Sequence, residues 1–269
     1  MTGAESTMIT DPSATLTRRH QLLAYYDRAV LGSNGFVCTS HARCAGSVAR
    51  PGIGFSEGQL SYLGEHYDTR VNGTPLRVAI VPMEFGAAEK HVTMDRFAEV
   101  IAERRDGRRN PHMRGVAFAL RLAFGLGLGD DRGGEYLTTP GGRVHMFDAY
   151  AMVNSVLCAA AKLGTNESRQ SATMRTECSR HLTAALRILA PTLVISQGAL
   201  LSLPLSRLFT IEQSVSDVVS RCSLDIHRFV WVNLHHPTRH WDSLKRPYLR
   251  NVVEPSITHA RHLVLGSTQ

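Results

Sequence analysis

The 269-residue chain is 43% hydrophobic and carries 30 basic against 23 acidic residues, a formal net charge of +7. That apolar content excludes a disordered chain and supports one large domain with a full core, while basic residues spread along the chain favour a phosphate-bearing partner over an acidic one. Five cysteines, an odd number, argue against a disulfide framework and for thiols that are buried or metal-bound.

Residues 1–13 are polar, include Glu5 and Asp11, and lack the basic-then-apolar order of a secretory signal. They are expected to be disordered, with residues 14–269 forming a single cytoplasmic domain. A helix is predicted from about Ala14 to Val30, where Leu16, Leu22, Leu23, Tyr26 and Val30 fall close to one face after the turn signal Asp11-Pro12-Ser13. The run Leu76 to Val81, closed by Pro82, predicts a strand buried on both faces.

Helical spacing returns at Met94, Phe97, Val100 and Ile101, and again after Pro111 at Met113, Val116, Ala117, Leu120 and Phe124. The glycine-rich run Gly125 to Gly129 superficially resembles a dinucleotide loop, but it follows a helix and reads as a helix-ending turn. Val116 to Gly129 is too short to span a bilayer, so no membrane partner is expected. A second strand is predicted over Phe147 to Val153, a helix over about Ser168 to Leu189, a short strand over Leu193 to Ile195 and a last strand over Phe229 to Leu234.

Strands separated by helices predict a parallel sheet covered on both faces, with ligands beyond the carboxyl ends of the strands. Three of those ends carry distinctive residues: Pro82-Met83-Glu84-Phe85-Gly86, Asn154, and His235-His236-Pro237-Thr238. A carboxylate, an amide and an imidazole would then converge at one rim. Taken singly, each also reads as a solvated acid, a turn residue and a structural histidine.

From Phe36 to Trp241 the order of these motifs resembles the uracil-DNA glycosylase superfamily, especially its iron-sulfur branch. Val81 to Gly86 stands in the place of the water-activating loop, Val153-Asn154-Ser155-Val156-Leu157-Cys158 is similar to the strand-end asparagine followed by a cluster cysteine, and Cys178 opens a helix leading to Pro191 and Gly198. His236-Pro237-Thr238 resembles the histidine-proline-serine motif. The first loop departs from the pattern, with Pro82 where glycine is usual and Phe85 where proline is usual.

The resemblance implies a three-layer α/β/α sandwich around a four-stranded parallel sheet, and a monomeric DNA glycosylase that removes uracil or another modified pyrimidine, in repair or in defence against modified phage DNA. Glu84 would activate water and His236 would stabilise the charge on the departing base. Asn154 would read the base edge with Met83 beside it, and Phe85, or else His112, would stack on the ring. Thr238, Arg239, His240 and Trp241 would contact DNA, Trp241 being equally readable as a core aromatic. Cys38, Cys44, Cys158 and Cys178 would hold a structural 4Fe-4S cluster, buried free thiols and a zinc site being the alternatives, and no catalytic metal is implied. A DNA-binding module that keeps this fold without catalysis is the competing function.

Overall fold

The strand foreseen around Leu76 to Val81 forms at Val78–Pro82, with all its residues buried. It lies inside a seven-stranded sheet of β1 (Tyr62–Leu63), β2 (Val78–Pro82), β3 (Tyr150–Met152), β4 (Leu193–Gln197), β5 (Thr210–Ser214), β6 (Val219–Leu224) and β7 (His227–Leu234). The computed structural model describes residues 7–32, 35–56, 60–83, 101–102, 104–107, 109–162 and 168–266. The helix predicted around Met94 and the loop bearing Glu84 and Phe85 therefore lie largely or wholly outside the described residues.

The spatial order is β5-β6-β7-β4-β2-β3-β1. Parallel pairing joins β3 to β2, β2 to β4 and β4 to β7, whereas β1, β6 and β5 join antiparallel. The expected four-stranded parallel sheet is thus corrected to a mixed sheet of seven strands with the parallel ones at its centre. The added hairpin escapes a reading by hydrophobic pattern because all five residues of β5 are exposed. Its ladder also breaks register between Ile211 and Gln213, a bulge that bends the outer edge.

Helices α1 (Pro12–Ala29), α2 (His41–Val48), α3 (Pro111–Phe124), α4 (Ala172–Leu189), α5 (Ser202–Leu208), α6 (Pro237–His240) and α7 (Glu254–Leu265) complete the elements used below. Period-two alternation divides the core between the two sheet faces. Val78, Ile80, Met152, Ile195 and Val232 join one cluster with residues of α3 and α7, while Ala79, Val81, Val153 and Val194 join another with residues of α1 and α4. Burying each such Val or Ile contributes about 1.5–3 kcal/mol.

Local signals fix the helix ends. Asn110 caps α3 by accepting from the Met113 N–H at 2.8 Å, Pro111 fills its first position, and Gly125 ends it at φ +78°. The turn read from Gly125 is borne out. The strand expected over Phe147 to Val153 is shorter, because His145 Nδ1 accepts the Phe147 N–H at 3.1 Å and Met146–Asp148 forms a 3-10 turn.

One expectation about the N-terminus is overturned. Residues 7–13 are ordered: Met8–Thr10 pairs with Thr69–Val71, Met8 is buried, and Asp11 caps α1 by accepting from the Ala14 N–H. Backbone pairing and one buried side chain outweigh the polar composition. Among the described residues, no helix is long and apolar enough to cross a membrane.

Candidate functional site at the carboxyl ends of the parallel strands

At the carboxyl rim, Pro82 is the register partner of Gln197, and Gln197 that of Leu234. Asn154 extends the same row, two residues beyond the Met152–Ile80 pair; the Val153 N–H donates to the Ile80 carbonyl at 2.9 Å and the Ser155 N–H to the Pro82 carbonyl at 3.0 Å. By strand alternation this row falls on the face covered by α3. Three strand spacings of about 4.8 Å put the Asn154 and Leu234 backbones roughly 14 Å apart, and His236 follows Leu234 by two residues. Met83, the residue after β2, lies against Gly198, whose φ of +145° suits glycine and whose added Cβ would lie 2.6 Å from the Met83 sulfur.

His236 caps the short α6, its Nδ1 accepting the Thr238 N–H at 3.4 Å. In the neutral ring that bond leaves the proton on Nε2, which makes Nε2 a donor. The His112 ring from the first turn of α3 stacks on it, with centroids 5.5 Å apart and planes inclined by 23°. Burial first, then the neighbouring His236, pushes the His112 pKa down to about 4, with the Gln197 carboxamide opposing the shift. His112 is therefore neutral at pH 7.

Gln197 is wholly buried. Its carboxamide lies within bonding reach of His112, but neither of its polar atoms nor His112 Nε2 makes a well-formed hydrogen bond among the described residues. Each such orphan costs about 1–3 kcal/mol. Sequence reasoning missed Gln197 as a site residue, yet a signal was present: a glutamine closing the otherwise compatible buried strand Leu-Val-Ile-Ser-Gln just before a glycine.

The remaining candidates separate. Asn154 is buried at the rim, and Thr238 and His240 are exposed on α6. The Arg239 side chain, like Glu84 and Phe85, lies outside the described residues. Trp241 is corrected from a DNA-contacting residue to a core residue: it is fully buried and its indole N–H donates to the His235 carbonyl at 2.7 Å. His235 stacks instead on Tyr248, centroids 4.9 Å apart, with His240 edge-on to it.

Helix α3 fixes the height of this loop. A Cβ added at Gly115 would lie 2.3 Å from the Pro237 Cβ, so the two backbones meet where only glycine fits. Gly115→Ala is expected to lose about 1–3 kcal/mol of stability, the usual cost of overpacking, in urea unfolding. An unchanged midpoint and slope would show that α3 does not set the position of His236.

On the opposite face, Cys44, Cys158 and Cys178 belong to the second core cluster. Cys44, Cys158 and Cys178 are buried, Cys38 is half-buried, and none of them forms a disulfide. Burial pushes Cys178 up to about 12, partly opposed by the Leu157 and Cys158 backbone, with Cys44 and Cys38 close enough to raise it further. Four soft sulfur donors fit the requirements of an iron-sulfur cluster in kind and number. Among the described residues, however, no three His, Cys, Asp or Glu side chains stand close enough to hold a metal ion as arranged.

A surface depression of about 730 Å³ lies at the amino ends of the strands and is lined by Arg18, Arg28, Arg77 and Arg187. Its arginines are mostly engaged: Arg18 with Asp68, Arg187 with Asp225, and Arg77 with the Ala190 carbonyl. It brings no acid, amide and imidazole together. No protein-family model matches the chain, and a search of curated proteins finds no significant match.

Proposed function

We propose that this chain is a monofunctional DNA glycosylase of the uracil-DNA glycosylase type, which everts a modified base and hydrolyses its glycosidic bond. The observation that carries this reading is the sharing of one rim by Asn154, the end of the strand leading to Glu84, and His236. Eversion is required because the bond is inaccessible within a stacked duplex. The basic net charge supplies the sequence-independent attraction to phosphate.

Bond cleavage leaves positive charge on the sugar and negative charge on the base. Glu84 would orient water and stabilise the oxocarbenium-like sugar; His236, donating from Nε2, would stabilise the oxygen on which negative charge grows. Asn154 supplies a donor and an acceptor for the polar edge of the base. Thr238 and His240, exposed on the following turn, would contact the DNA backbone.

Alkaline strand cleavage of oligonucleotides carrying single modified bases tests this function. Release of at least one base is expected; retention of every base together with tight DNA binding would favour a binding module.

In the same reading, Cys38, Cys44, Cys158 and Cys178 would hold a 4Fe-4S cluster. When bound, that group ties the segment before α2 to α4 and supplies no reaction step. Purified protein is expected to be brown, and Cys158→Ser to bleach it, measured by visible absorbance and iron content. A colourless, iron-free protein of full activity would overturn the assignment.

A further inference from the structure

Gln197 stands where an ordinary pyrimidine site has no need of an amide. It belongs to the same row and sheet face as Asn154, with only Pro82 of β2 between them, so two strand spacings separate their backbones by roughly 10 Å. The Gln197 carboxamide lies within bonding reach of His112, so at most one weak bond links them, and neither carboxamide atom nor His112 Nε2 has a well-formed partner among the described residues. Buried polar groups are paired as a rule, and a cluster of exceptions marks a place that a ligand completes.

The chemistry of the cluster restricts that ligand. A carboxamide donates and accepts in one plane, and a neutral imidazole nitrogen adds one more donor or acceptor, so the three atoms match an uncharged edge with both kinds of group. A phosphate needs donors and positive charge, which this corner does not offer. Plain uracil has its polar groups along one side of the ring, and Asn154 is already assigned to them. Its other side, at C5 and C6, carries only C–H and would leave Gln197 unpaired.

We infer that Gln197, with His112 beside it, reads a second polar edge of the everted base, so that the substrates are bases bearing hydrogen-bonding groups on two edges. Two sources share that chemistry: purines, through the imidazole-side edge, and pyrimidines with a polar substituent at position 5. This rests on the glycosylase reading for its substrate but on the unpaired atoms for its site. Gln197 is a specificity-determining residue and takes no part in bond cleavage.

The test measures binding of free hypoxanthine, 5-hydroxymethyluracil and uracil to the intact protein by thermal shift, in the wild type and in Gln197→Leu, with Gln197→Met in reserve should leucine fail to fold. At least one two-edged base is expected to bind the wild type tenfold or more tightly than uracil, and the substitution to abolish that preference. Which base binds identifies the source, purine or substituted pyrimidine. Equal binding of all three bases, no binding of any, or a preference that survives the substitution would each overturn the inference. Parallel base-release assays separate the two readings: preferential binding without release from DNA would refute the glycosylase and leave the second-edge site standing.

Discussion

His236→Ala and Glu84→Gln are each expected to slow single-turnover base release by about 10²–10⁴-fold, the usual worth of a positioned acid, base or charge-stabilising donor. DNA affinity should change little, because most of it comes from phosphate contacts that neither residue is assigned. The two variants lose different things. Removing the imidazole withdraws a donor from the departing base, whereas glutamine in place of Glu84 keeps the size of the side chain and loses the charge facing the sugar. Both measured under single-turnover conditions with binding followed separately, they divide chemistry from affinity. Near-normal rates in both would remove the assignment.

The second large effect concerns stability and lies away from the rim. Arg109 and Glu135 form a buried two-pronged ion pair, 2.5 Å on each arm, and His145 Nε2 lies 3.2 Å from the same carboxylate. Burial alone would raise the Glu135 pKa, but the bonds from Arg109 and His145 outweigh it and hold the group at about 2. Glu135→Gln leaves a buried guanidinium without its counter-charge and is expected to cost about 3–5 kcal/mol at pH 7. A depressed carboxylate contributes stability above its unfolded pKa and loses it as pH falls through the folded value. The gap between wild type and variant should therefore narrow as pH drops from 4.5 toward 2, by urea unfolding. A gap independent of pH would show that shape, and not charge, is what Glu135 provides.

The parallel centre of the sheet was legible because β2, β4 and β7 are short apolar runs, which only a strand covered on both faces can accommodate. Helix α3 was legible from Pro111 at its start and Gly125 after its end. The outer hairpin was not, since a strand exposed along its whole length has no apolar period to detect. Trp241 shows a different limit. Its neighbours in sequence are polar, and only the folded loop reveals that its ring turns inward and its N–H reaches the His235 carbonyl. Likewise Asn154 and His236 could be placed at strand ends from sequence, but the stacking of His112 on His236 depends on a long-range contact between α3 and α6, made possible by a missing side chain at Gly115.

The irregular outermost strand has a consequence for how the molecule meets its own copies. A straight, exposed strand offers a row of unsatisfied amides onto which another chain can zip. Here the slip between Ile211 and Gln213 interrupts that row, and Glu212 pairs with Arg228 to place charge beside it. Such a margin makes a poor template for sheet extension, which protects a chain whose apolar interior would otherwise favour self-association at high concentration.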